Sequence, residues 1–250
     1  MSERRARKCA VPVLTAAGSL LAVAASAASP PAGVSAVPAP VLGKSVNVAP
    51  VSGSVYVKPP PGYSLGPSAD LVAGQALAKG NGFVRLTRAR QIPAGSQVDA
   101  RAGTLRVTTA AATTNGKLQT GTFTGAIFGL AQDSSGLNKG LTTLAIVENA
   151  FPGAPSFANC KTGPASDGSP PASAALSSKV LQALHASAHG KFRTRGRFSS
   201  ATVRGTAWGE RDRCDGSLTI VRRGTVTVRD FVRHVTVTLT AGHSYLARRY

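Results

Sequence analysis

Two histidines, His185 and His189, lie four residues apart. On a helix that spacing puts both imidazoles on one face, the arrangement a zinc site uses. A site needs further ligands, and no Glu between the two completes a metalloprotease motif. The sequence therefore assigns no metal and reads the pair as helix-end side chains near a favourable dipole. Glu210 and Asp212 are the nearest pair of carboxylates, and a glycosidase needs two that face each other. They are expected to share a turn with Arg211 and Arg213 as solvated charge. There is no G-x-S-x-G elbow, no glycine-rich phosphate loop and no Cys–His peptidase context. These patterns point away from an enzyme and imply no cofactor. A secreted hydrolase with a dispersed active site stays open as an alternative. It would need Glu210 or Asp212 to converge with a histidine in a pocket.

The basic residues carry more. In Phe192-Arg193-Thr194-Arg195-Gly196-Arg197-Phe198, strand alternation places Arg193, Arg195 and Arg197 on one face and both phenylalanines on the other. Such a face could grip a polyanion, because phosphate-rich polymers are held mainly by clustered positive charge. Thr236, Thr238 and Thr240 form a second alternating row, opposite Val235, Val237 and Leu239. Aligned threonines can bind ice or crystalline surfaces, but Thr also suits any wet strand face.

Charge and composition set the class. The chain has 29 Lys and Arg against 10 Asp and Glu, a formal charge of +19 over 250 residues. Charged residues are only 16% and hydrophobic residues 42%, which excludes a disordered polyelectrolyte and permits a packed core. Aromatics are 5%, so Val, Leu, Ile and Ala must build most of that core. Arg4, Arg5, Arg7 and Lys8 precede an apolar run from Ala10 to about Ala25, which ends in Ala25-Ser26-Ala27. A basic start, a short apolar stretch and A-x-A read as a secretory signal peptide over residues 1–27. The run carries Pro12, Thr15, Gly18 and Ser19, which disfavours a retained anchor, and no later segment reads as a membrane span. Without residues 1–27, 25 basic and nine acidic side chains remain, a net +16. Two cysteines also remain, Cys160 and Cys214. In an oxidising compartment they are expected to form a disulfide, worth roughly 4 kcal/mol in the chain-entropy model.

The elements that must position these groups are mostly strands. Residues 28–46 are Pro, Ala, Ser and Val without a period and read as an extended linker. From Asn47, short runs such as Gly53-Ser54-Val55-Tyr56-Val57 and Gly103-Thr104-Leu105-Arg106-Val107 alternate with period two behind a turn-forming Gly. Strands are expected at residues 83–86, 97–100, 104–108, 118–123, 126–131 and 141–147, then at 202–208, 217–222, 225–229, 233–240 and 244–247. One helix is expected, because Leu176, Val180, Leu184 and Ala188 lie four apart, Leu181 widens the stripe and Gly190 can end it. It would sit in a loop–helix insert at about 160–190. The expected fold is mainly β: a compact roll or sandwich of short, mostly antiparallel strands over residues 47–250, with one inserted α-helix.

The last sixty residues also resemble a known family. Ala201-Thr202-Val203-Arg204-Gly205-Thr206-Ala207-Trp208 is similar to the V-x-G-T-x-aromatic step of FecR-like domains. Gly216–Ile220, Arg223–Val228 and Val237–Ser244 follow in the order of that family's later strands and its L-x-A-G-x ending. Upstream, Ile92–Val98 with Gly103–Val107 resembles the start of the same domain. The resemblance implies an extracytoplasmic β domain. FecR-type proteins of the iron-dicitrate system relay a receptor signal through a membrane helix to a cytoplasmic sigma factor. This sequence shows no anti-sigma domain, so neither signalling nor iron binding carries over. The expected function is that of a secreted, non-catalytic binding or structural module at the cell envelope. Its expected partner is an anionic wall polymer or an envelope protein, with nucleic acid disfavoured. The alternative is a membrane-tethered sensor subunit that keeps its N-terminal anchor.

Overall fold

The computed structural model describes residues 37–63, 65, 82–113, 116–160 and 177–249. Residues 37–250 form one compact unit. Along the chain run β1 (Ser45–Lys58), β2 (Val84–Arg85), β3 (Arg90–Pro93), β4 (Gln97–Ala110), β5 (Leu118–Thr124), β6 (Ile127–Gln132) and β7 (Thr142–Ile146). The 3-10 turn Phe157–Asn159 follows. Then come β8 (Val180–Arg195), β9 (Ser199–Arg213), β10 (Gly216–Arg223), β11 (Thr225–Asp230), β12 (Thr236–Thr240) and β13 (Ser244–Arg248).

All 13 strands belong to one sheet system. Five of them close on themselves: β4 pairs β5, β5 pairs β8, β8 pairs β7, β7 pairs β6, and β6 returns to β4. Only the β7–β8 contact in this barrel is parallel. Closure works because β4 and β8 are long and each serves two neighbours in turn. The Gln97–Asp99 end of β4 pairs β6 and its Thr104–Ala110 end pairs β5. Likewise His185–His189 of β8 pairs β5, while Phe192–Arg195 pairs β7. β1 flanks β4 on the outside, and β9 flanks β8 over nearly its whole length. Beyond β9, β10 and β11 line up end to end along it, with β13 and β12 as the outer rank.

Period-two alternation decides what faces the barrel interior. Leu105, Phe123, Phe128, Leu144, Leu184 and Phe192 are fully buried there, with Phe123 5.7 Å from Phe192 and 6.2 Å from Phe128 between ring centres. Trp208, 1% exposed, donates its indole N–H to Thr194 Oγ1 at 2.8 Å, which satisfies its one polar atom.

The mainly β class is as expected, but among the described residues the expected helix is replaced by a strand. Residues 180–195 form β8, and Leu176 lies outside the described residues. A spacing of four fits both the helical and the strand period, so Leu184 and Ala188 share a face in either case, while an irregularity between Val180 and Gln182 turns Val180 outward, opposite Arg213. Register with β5 and β9 selects the strand. Gly190 ends nothing; it sits at φ +115° in an irregularity of β8 between His189 and Phe192, where a Cβ would strike Gln119. Nor are the strands uniformly short, since β1, β4, β8 and β9 run 14 to 16 residues. The expected linker 28–46 also ends inside the fold, because β1 starts at Ser45 and Val46 is 1% exposed.

Candidate functional site

The disulfide between Cys160 and Cys214 is present, with Cα atoms 5.4 Å apart. Cys214 occupies the β9–β10 turn, and Cys160 follows the 3-10 turn. The bridge therefore fixes the segment that faces Arg197. Phe157 packs edge-on against Phe198 at 5.2 Å, and the Phe157 amide donates to Glu148 Oε2 at 2.9 Å.

Arg193, Arg195 and Arg197 do point outward, but each is engaged within the chain. Arg193 donates to Thr143 Oγ1 at 3.2 Å and lies 3.5 Å from Asp133. Arg195 stacks over the Phe231 ring at 5.1 Å, and Arg197 meets Glu148 at 3.4 Å. Two of the three charges are thus paired with acids, and the third is held over a ring. The threonine row also faces outward, with Thr236, Thr238 and Thr240 exposed beside Arg229, Thr227 and Thr225 of β11.

Glu210 and Asp212 are not in a turn, and they are not solvated. They continue the inward side of β9 after Trp208, while Arg211 and Arg213 take the outward side. Glu210 is 0% exposed and accepts from Ser199 Oγ at 2.7 Å and Thr219 Oγ1 at 2.9 Å. Burial pushes its carboxyl up to about 8 against the pull of those hydroxyls. Asp212 accepts from Ser217 Oγ and from the Arg197 amide at 3.1 Å, and burial raises its pKa as well. A cavity of about 360 Å³ opens beside Asp212, lined also by Glu148, Arg195, Gly196 and Arg197. No histidine lines it, so the convergence a hydrolase requires is not assembled there.

The histidines sit elsewhere, on the outer face of β8. As strand residues four apart they are separated by about 13 Å, too far to share one ion. Among the described residues, no three His, Cys, Asp or Glu side chains form a group that could hold a metal. His185 and His189 instead border two adjoining depressions of about 430 and 460 Å³ that share Thr122 and Ser187. Cross-strand register builds them. One row runs Arg106–Thr122–Ser187–Ala207–Arg223 over β4, β5, β8, β9 and β10. On one side of it lies Thr104–Thr124–His185–Gly209–Ile220, and on the other Thr108–Thr120–His189–Gly205. In the central row the middle strands supply only small side chains, Thr122, Ser187 and Ala207, so the sheet itself is the floor there. Exposed Arg106 forms one wall, and exposed Arg222 and Arg223 the other.

No carboxylate lines either depression, and these three arginines have no ion-pair partner among the described residues. Partial burial, and then the positive charges of Arg222 and Arg211, hold the His185 imidazole below its ordinary range. The groove is an uncompensated cationic surface with hydroxyls on its floor. Sequence reasoning missed it because its residues come from five strands, and only the register joins them. The signal in the sequence was weak: Arg106, Arg222 and Arg223 each stand at or beside an outward position of an expected strand.

No family model, curated protein or solved structure matches the chain.

Proposed function

We propose that the chain is a secreted, non-catalytic β domain of the FecR-like type that works at the cell envelope by holding an anionic wall polymer. One observation carries the binding reading: a groove with three unpaired arginines and two histidines on its rim and no carboxylate in its lining. Clustered cations in a concave surface concentrate field and raise the local density of polyanions. Carboxylates would repel them, and the molecule's acids lie elsewhere. The net +16 of residues 28–250 adds long-range attraction. The proposed export rests on the signal-like residues 1–27 and agrees with the Cys160–Cys214 bridge, which persists in oxidising surroundings.

The test is retention on purified cell walls across a salt series. Wild type should be retained with steep salt dependence. Arg106→Gln/Arg222→Gln/Arg223→Gln should lower the logarithmic salt slope by about 2–3, roughly one for each phosphate no longer neutralised. Absent or salt-insensitive retention would overturn the reading. N-terminal sequencing of exported protein tests the leader, with a start near Ala28 expected.

A further inference from the structure

We infer that the ligand of this groove is a linear phosphate chain laid across the strands, long enough to touch both arginine walls at once. The inference rests on the polyanion reading above and specifies its ligand. The central row holds cations only at its two ends, Arg106 and Arg223, four strand spacings apart. At ~4.8 Å per strand the ends are at most about 19 Å apart. Both arginines line one depression from opposite ends of this row, so a chain lying along the row reaches both walls.

The floor between is shaped to pass a chain. Ala207 contributes a methyl, and the Ser187 hydroxyl has no partner among the described residues, which leaves it free to bond a ligand. Gly209 is not demanded by packing: its φ is not left-handed, and an added Cβ would come no closer than 3.5 Å, to His185 Nδ1. Its missing side chain keeps the floor low. His185 and His189 flank the row on opposite sides, so a crossing chain passes between them. Engaging one wall makes the second contact intramolecular, and affinity then climbs with length until the span is reached.

The experiment compares inorganic phosphate, tripolyphosphate and long-chain polyphosphate on wild type, Ala207→Leu and Ser187→Ile. Both substitutions raise the floor without changing charge, and two outward positions guard against one variant misfolding; thermal melts report the fold. Long-chain polyphosphate should bind wild type at least about tenfold more tightly per phosphate than tripolyphosphate. Either raised-floor variant should lose most of that length advantage, and Ala207→Leu, which removes no polar group, should keep tripolyphosphate affinity. If length gives no advantage, or both folded variants bind long chains like wild type, the inference fails and binding is diffuse or confined to one wall. If no phosphate species binds in a salt-dependent way, the polyanion reading itself fails.

Discussion

Two sets of outward arginines in the same sheet system differ in what surrounds them. Arg193, Arg195 and Arg197 stand where the acids are: Asp133 and Glu148 meet two of them directly, and Asp212 caps the Arg197 amide from below. Arg106, Arg222 and Arg223 stand where there are none. Residue type and outward placement are shared, so neither predicts function. The compensated set closes the β8–β9 turn and ties it to the β7 side. Only the uncompensated set keeps its charge available to a ligand. A basic stretch in a sequence has to be judged by the distribution of acids in three dimensions.

The largest effect belongs to the staple beneath the compensated set. Replacing Cys160 and Cys214 by Ala should cost about 4 kcal/mol of stability, since a 54-residue separation is closed. Denaturant unfolding measures this, and free-thiol titration of the unreduced, denatured wild type should find no thiol among these two. Groove binding in the folded variant should stay near wild type. Reduced polymer affinity without unfolding would mean that the two regions are not independent.

Next in size is the direct contrast. Arg106→Gln/Arg222→Gln/Arg223→Gln should weaken long-chain polyphosphate binding about a hundredfold, near 2.7 kcal/mol. Arg193→Gln/Arg195→Gln/Arg197→Gln should weaken it less than about threefold. Thermal melts should show the reverse order, because only the second triple gives up ion pairs and a cation–π stack. Equal weakening of binding would erase the distinction drawn between the faces.

The β class is legible in the sequence because alternation behind Gly-Thr and Gly-Ser steps is a local signal, and strands such as β10 and β11 fall where it places them. The helix expected at β8 is absent for a definite reason: four is a multiple of two and also close to one helical turn, so Val180, Leu184 and Ala188 cannot distinguish the periods. The same degeneracy moves the histidines, which a helix would pair and a strand separates. Glu210 and Asp212 lie inside a strand because the turn starts only after Arg213; the acid–base alternation from Trp208 onward is itself a strand pattern. The groove is beyond local reading, since Arg106 and Arg223 become neighbours of one floor only through four successive registers.

The interior acids extend the contrast to pH. Glu210 is neutral in the fold up to about 8 but ionises near about 4.3 when unfolded, so the folded state holds a proton that the unfolded state releases between those values. Stability is therefore full below about pH 4.5, as far as this group decides it, and declines as pH rises toward 8. The raised pKa of Asp212 adds in the same direction. Glu210→Gln should flatten the decline, gaining on the order of 2 kcal/mol relative to wild type at about pH 8.5. Urea midpoints from about pH 5 to 8.5 measure it. An unchanged slope would show that the carboxyl ionises in place at little cost.

The smallest effect lies in the groove and has two signs. His185 titrates below its ordinary range because of partial burial and the charges of Arg222 and Arg211. In the free protein a depressed folded pKa means that stability falls as pH drops through about 6.5, where the unfolded histidine takes up its proton first. Binding runs the other way, because protonation adds a cation beside the central row and a bound polyanion favours it. Long-chain polyphosphate affinity should rise a few-fold from about pH 7 to about pH 5, while the melting temperature of the free protein drifts down; the ligand should shrink that drift. His185→Gln should reduce the pH dependence of binding. If His185→Gln leaves the pH profile unchanged, the chain does not pass beside His185. The groove would then be occupied only on the His189 side, where Arg106 and Arg223 line the second depression.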